Sequence, residues 1–300
     1  MIFRNFRLFY ILTLLWATPN AALSQSVRPL YDGPIPFAIA GTDTPKITLF
    51  SPQTKTSKGI AVIVCSGGSY GGRANGVEGI PACEKLTEAG ITAFLLDYRV
   101  PDSRKMEHKD AVPLLDAQRA LQYVRQHAQV LHIDQRKVGM MGFSAGGHLV
   151  STVSTHFKES ELINPDHIDL RPDFAILVYP VISFADSLTH VLSRKNLIGP
   201  DISAERIKAF SNELHVTADT PPTFLSHGID DKAVRVENSL LYTAALQQQH
   251  VPVQLFLYEK GRHGYGVYND KSEAQWIDDC IQWIHLQTSK KKVKASSNDH

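Results

Sequence analysis

Six short apolar runs, separated by stretches of helical period, constrain the folding of this chain most strongly. They are GIAVIVC (59–65), ITAFLLDY (91–98), KVGMMG (137–142), FAILVYP (174–180), TFLSHG (223–228) and VQLFLYE (253–259). Runs this short and this continuously apolar belong to strands buried on both faces, which is the condition of a parallel sheet covered by helices. KITLFSP (46–52) is a further strand, expected at the sheet edge. The intervening stretches supply the helices. PACEKLTEAG (81–90) opens on Pro81, tolerated in a first turn, and closes on Gly90, a good C-terminal stop. Between 111 and 128, Leu114, Ala117, Leu121, Val124 and Ala128 recur at the spacing that lays one apolar face on a sheet, and Ile277, Cys280, Ile281 and Ile284 do the same near the end. Repeated strand–helix units joined by right-handed crossovers predict one α/β domain with a mostly parallel central sheet and helices on both faces.

One connection is too long to be a simple loop. Residues 183–220 contain SLTHVLSRKNLIG and SAERIKAFSNEL, both helix-compatible, and predict a small helical insertion over the carboxyl ends of the strands, where open α/β sheets place ligands. The chain ends differ from the body. Residues 1–24 carry Arg4 and Arg7, the apolar run Leu8–Ala17 and small residues before Ser24, the pattern of a signal peptide cleaved near Ser24. That predicts a secreted or periplasmic protein with no stable membrane insertion after cleavage, the apolar run being short of the roughly 20 residues a span requires. A single domain over 25–288 follows, and SKKKVKASSNDH (289–300) is expected to be a flexible basic tail. Cys65, Cys83 and Cys280 form no metal, redox or disulfide pattern and are expected to be buried thiols. The formal charge of +1, or −1 once Arg4 and Arg7 are removed, gives no basic excess for a nucleic-acid partner.

Chemistry enters at MGFSAGGHLV (141–150). Gly142-Phe143-Ser144-Ala145-Gly146 fits the G-x-S-x-G elbow, and it stands between a predicted strand and a helix-compatible run, the context the elbow requires. The tight turn lifts the Ser144 hydroxyl above the sheet edge as a nucleophile. A hydroxyl needs a base, and the base an orienting carboxylate, which on this topology follow in the order acid, then histidine. SHGIDDKAV supplies Asp230 and Asp231 after one strand, and YEKGRHGYG supplies His263 after the next, among glycines 261, 264 and 266. His148, one helical turn beyond Ser144, points poorly at the hydroxyl and is expected to pack in the scaffold. His227, at a strand end, is expected to bond locally. For the oxyanion, CSGGSYGG (65–72) follows an early strand and offers the amides of Gly67 and Gly68, with Ala145 donating from the elbow. No H-E-x-x-H spacing, no G-x-G-x-x-G and no Lys-Ser/Thr after the glycines appears, so neither a metal nor an organic cofactor is expected.

CSGGSYGG, DAQRALQYVR, VGMMGFSAGGHL, RPDFAILVYPVIS, FSNELHVTADTPPTFLSHGIDDKAVRVENSL and YEKGRHGYG together resemble carbohydrate esterases of the α/β-hydrolase fold, of the acetyl-xylan esterase type, relatives of which are often labelled endo-1,4-beta-xylanases. The similarity runs from about 55 to 285. It implies a serine esterase that deacetylates plant-derived polysaccharide or oligosaccharide through an acyl-enzyme. The family pattern H-G-x-x-D-x-x-V falls on Asp231 as the acid, with Asp230 the runner-up. Relatives often read P-G-G-G-Y where this chain has Ser66-Gly67-Gly68-Ser69-Tyr70, and Pro where Arg235 stands. A prolyl oligopeptidase-like peptidase or amidase shares the layout. A catalytically dead carbohydrate-binding module on the same fold is the alternative from another class. Glycosidic cleavage is not expected, because it normally requires two carboxylates flanking the bond and no such pair is legible.

Overall fold

The computed structural model describes residues 25–52, 58–160 and 162–296, so the signal-peptide expectation for 1–24 lies outside the described residues. Eight strands form one sheet: β1 (Gln25–Pro29), β2 (Lys46–Phe50), β3 (Ala61–Cys65), β4 (Thr92–Asp97), β5 (Val138–Phe143), β6 (Ala175–Val178), β7 (Thr223–Gly228) and β8 (Val253–Tyr258). Their order is β1-β2-β4-β3-β5-β6-β7-β8. β2 pairs antiparallel with both β1 and β4, and every pairing from β4 to β8 is parallel. The expected place of β2 is corrected by β1, which takes the edge. QSVRP carries no apolar run to announce a strand, because an edge strand need not be covered: Val27 is 59% exposed. Pro29 suits an edge, where a missing donor costs no ladder bond.

The central strands alternate between two cores. Ala61, Ile63 and Cys65 of β3 face one, and Val62 and Val64 face the other; Met140 and Met141 of β5 split the same way. α2 (Val112–Gln126), α3 (Ala145–His156) and α6 (Glu237–Gln248) cover the first core, while α1 (Ile80–Glu88) and α7 (Trp276–Ser296) cover the second. Both faces are therefore buried, which is why these strands read as unbroken apolar runs. The three cysteines are buried and unbridged. α7 continues to Ser296, so the tail expected from 289 begins as helix. The stretch is rich in lysine, a good helix former, and the helix before it is already nucleated on the core. Among the described residues, no helix is long and apolar enough to cross a membrane.

The insertion between β6 and β7 carries α4 (Val191–Ile198), α5 (Ala204–Ala209) and a 3-10 turn at Asn212–His215. Two contacts lay it over the carboxyl end of the sheet. Asn196 Nδ2 donates to the Ser69 carbonyl at 2.8 Å, and His148 Nε2 donates to the Phe210 carbonyl at 2.9 Å. His148 is fully buried; its Nδ1 accepts from the Tyr70 hydroxyl at 2.9 Å, and its ring stacks on Phe184 at 4.4 Å. Burial pulls its pKa down to about 4, against a weaker opposing pull from the Phe210 carbonyl.

The folded protein thus holds this imidazole neutral, whereas an unfolded histidine titrates near 6.5. A depressed pKa in the folded state contributes stability that is complete above 6.5 and is lost as pH falls towards 4. Melting temperatures measured across that window should fall on acidification. In His148→Gln, where an amide can accept from Tyr70 and donate to Phe210, the fall should flatten; equal falls in both proteins would assign the loss to other groups.

Candidate active site

β5 ends at Phe143 and α3 begins at Ala145, leaving Ser144 alone to turn the chain, at φ 50° and ψ −117°. This is a costly conformation for a residue with a side chain and persists only where its surroundings determine it. Three backbone bonds do so. The Ser144 N–H donates to the Val178 carbonyl at 3.0 Å, and the Ser144 carbonyl accepts from the amides of His148 and Val181, each at 3.1 Å. The flanking glycines permit the close packing around the turn. A Cβ on Gly142 would stand 2.2 Å from the Gly146 carbonyl oxygen, and one on Gly146 would stand 2.2 Å from that of Cys65.

The three residues expected to act together are brought together. His263 Nε2 lies 2.9 Å from Ser144 Oγ, and His263 Nδ1 lies 2.7 Å from Asp231 Oδ2. An ionised carboxylate only accepts, so Nδ1 carries the proton and Nε2 is left to accept from the serine hydroxyl. Asp231 Oδ1 accepts from the amides of Ala233 and Val234, both at 2.9 Å. Burial alone would push the Asp231 carboxyl up; hydrogen bonds from His227, His263 and Val234 outweigh it and hold the group well below the usual carboxylate range. His227 bonds locally, Nε2 to the Val234 carbonyl at 2.9 Å and Nδ1 to Ser239 Oγ at 2.7 Å, but its Nε2 also stands 3.4 Å from Asp231 Oδ2. Asp230 Oδ1 accepts the amides of Gly261 and Arg262 at 2.7 and 2.8 Å, tying down the loop that carries His263.

The loop after β3 lies against the elbow: a Cβ on Gly67 would sit 2.9 Å from Ser144 Cβ. The three amides named for the oxyanion do not stand alike. The Gly67 N–H donates to Glu78 Oε2 at 2.6 Å, so that carboxylate occupies it in this structure. Gly68, at φ 128°, turns the loop, its carbonyl accepting from the amides of Gly71 and Gly72 at 2.9 and 3.1 Å. Ala145 opens α3, and the first amides of a helix have no partner within it. Glu78 and its second partner, Tyr179, were not legible as site residues. Tyr179 donates to Glu78 Oε1 at 3.0 Å across 101 positions of chain, and no spacing or motif announces such a contact. A cleft of about 680 Å³ borders the far end of the same loop, lined by Gly71, Arg73, Asp97, Arg104, Lys195 and Asn196 among others. Its lining is polar, and neither Ser144 nor His263 is part of it.

A BD-FAE family model matches residues 47–246. An acetylxylan esterase of Xylanibacter ruminicola is 31% identical over 83% of this chain and 50% of its own length. Endo-1,4-beta-xylanase B of Butyrivibrio fibrisolvens is 36% identical over 66% of this chain and 31% of its own length. The chain thus spans half or less of these curated relatives. Among solved structures, an acetyl ester-xyloside bifunctional hydrolase of Caldicellulosiruptor lactoaceticus superposes with a TM-score of 0.78 at 38% identity, covering 87% of this chain and 96% of that one. With two thirds of its length inside the family model and its fold shared with that hydrolase, the chain belongs to the BD-FAE family of α/β-hydrolases.

Proposed function

We propose that this chain is a serine esterase that removes acetyl groups from plant-derived polysaccharide or oligosaccharide. The observation that carries the reading is the hydrogen-bonded line from Ser144 through His263 to Asp231 at the end of a strained elbow. The similarity to an acetylxylan esterase supports the substrate class. Ser144 Oγ attacks the ester carbonyl while His263 Nε2 takes its proton; the same nitrogen then returns the proton to the sugar hydroxyl as it leaves. Asp231 holds the imidazole in the required tautomer and stabilises its charged form. The amides of Gly68 and Ala145 receive the developing oxyanion, each such donor being worth roughly 2.7–4 kcal/mol in the transition state. Water then attacks the acetyl-enzyme by the same route and releases acetate. The saccharide lies along the polar cleft beyond Gly71, where Arg104 and Asn196 offer donors to sugar hydroxyls. The leader-like pattern of residues 1–24 supports an activity exercised outside the cytoplasm, in the periplasm or the medium.

Acetate release from an aryl acetate and from acetylated xylo-oligosaccharides tests the assignment. Ser144→Ala should abolish both, and undiminished turnover would remove Ser144 from the reaction. Asp231→Asn should lower kcat on the order of 10^4-fold, whereas Asp230→Asn, which only loosens a loop anchor, should cost less than about tenfold, close to the roughly 1 kcal/mol of one hydrogen bond.

Arg104→Ala tests the placement of the saccharide. Its KM for the oligosaccharide should rise about three- to tenfold, the equivalent of one lost hydrogen bond, and the rate ratio of oligosaccharide to aryl acetate should fall. An unchanged ratio would move the saccharide out of the cleft.

A further inference from the structure

Glu78 is a buried acid at the edge of this site, and the reaction as written gives it no task. It lies in a π-helical turn (Asn75–Gly79) that leads into α1. Its carboxylate touches two separate parts of the machinery. Oε2 accepts the Gly67 N–H at 2.6 Å, which fixes the loop that carries Gly68. Oε1 accepts the Tyr179 hydroxyl at 3.0 Å, and that hydroxyl in turn accepts the Gly266 N–H at 3.1 Å, three residues beyond His263. The Tyr179 ring also meets the His263 ring edge-on, with centroids 4.9 Å apart. One carboxylate is thereby bonded to the oxyanion loop directly and to the histidine loop through a single tyrosine.

We infer that Glu78 is a positioning residue that sets the distance between the oxyanion donors and the base, and that its negative charge favours the imidazolium formed when Ser144 gives up its proton. The inference rests on the esterase reading for its effect on turnover, and its link to His263 on the bonded line from Glu78 through Tyr179 to Gly266 and on the contact of the Tyr179 and His263 rings. Burial holds the Glu78 carboxyl above the usual carboxylate range, and the bonds from Gly67 and Tyr179, with the nearby His263, offset that only in part. Among the described residues, titratable groups that interact with His263 include Asp231, Glu78, Tyr179 and, from the insertion, His190; Tyr98 also interacts with Glu78. Of these, Asp231 and Glu78 are the carboxylates. Replacing the latter by an amide removes one negative charge while leaving an oxygen for the Gly67 N–H.

Three measurements on Glu78→Gln test this. Against an aryl acetate, kcat should fall about 10- to 100-fold with KM nearly constant, and the acidic limb of the kcat/KM profile should move to lower pH, because an imidazolium deprived of a neighbouring negative charge loses its proton more readily. The imidazole of His263 should show the same downward displacement by NMR titration in a Ser144→Ala background, where no turnover is needed. Tyr179→Phe should also lower kcat, and the double variant should lose less than the product of the two single losses, since both cut one chain of contacts. An unmoved titration of His263, or a kcat loss that only follows the fraction of folded protein, would overturn the inference. Should Glu78→Gln fail to fold, Tyr179→Phe decides: undiminished kcat there overturns it. If the parent protein hydrolyses no ester while the His263 titration still moves, the esterase reading falls and the electrostatic link stands.

Discussion

The geometry of this molecule hangs on one residue held in a conformation it would not adopt alone. Ser144 turns β5 into α3 within a single peptide, with its φ at 50°. Its N–H completes the pairing with β6 through Val178, and its carbonyl begins α3 and also receives Val181. The strain is therefore shared among a strand, a helix and the loop after β6. None of these can relax without giving up a backbone bond in a buried place, which is expensive. Gly146 lets α3 rest directly on the carbonyl of Cys65, at a distance that any side chain would forbid. The loop that follows Cys65 then inherits its position over the hydroxyl.

Two histidines stand close to that serine, and their surroundings give them opposite characters. His148 has a hydroxyl and a carbonyl as partners, an aromatic ring stacked on its face and no exposure to solvent, so its charged form is strongly disfavoured. His263 has a carboxylate behind it, and its side chain is 25% exposed. Only the second environment can accept a proton during a reaction and stabilise the charge that results. Proximity in sequence to Ser144 is thus a poor guide to which histidine serves it. The α3 helix carries His148 away from the hydroxyl, while the loop after β8 returns His263 to it.

What was legible in the sequence divides along the range of the interactions involved. The central strands announce themselves because burial on both faces demands an unbroken apolar run, and the elbow because a strained turn demands small neighbours. The order acid then histidine follows from the topology once the strands are counted. β1 was missed because an edge strand needs no hydrophobic signature. The end of α7 was missed because a polar, lysine-rich stretch reads equally as tail or as continued helix. The partner of the Gly67 amide is not legible, since nothing in GGRANGVEG states that the glutamate eleven positions on folds back to accept from it. Tyr179 reads as the end of an apolar strand, and its hydroxyl has meaning only once Glu78 and Gly266 are placed beside it.

Strand order explains why such a bridge is needed at all. Ser144 leaves β5, Asp231 follows β7, and His263 follows β8, three strand spacings from the serine. At about 4.8 Å per strand, the histidine loop must reach back roughly 14 Å across the sheet edge to meet the hydroxyl. Asp230 secures the root of that loop at Gly261 and Arg262, on β7's side. Tyr179 stands at the end of β6, between the strands that lead to serine and acid, and meets the imidazole edge-on. A tyrosine in that position brings a hydroxyl into a buried site, and a buried hydroxyl requires a partner. Glu78, reaching in from the opposite side with Gly67 already bound, provides it. The two loops that the reaction must coordinate thus meet at one carboxylate, although their strands are separated by most of the parallel sheet.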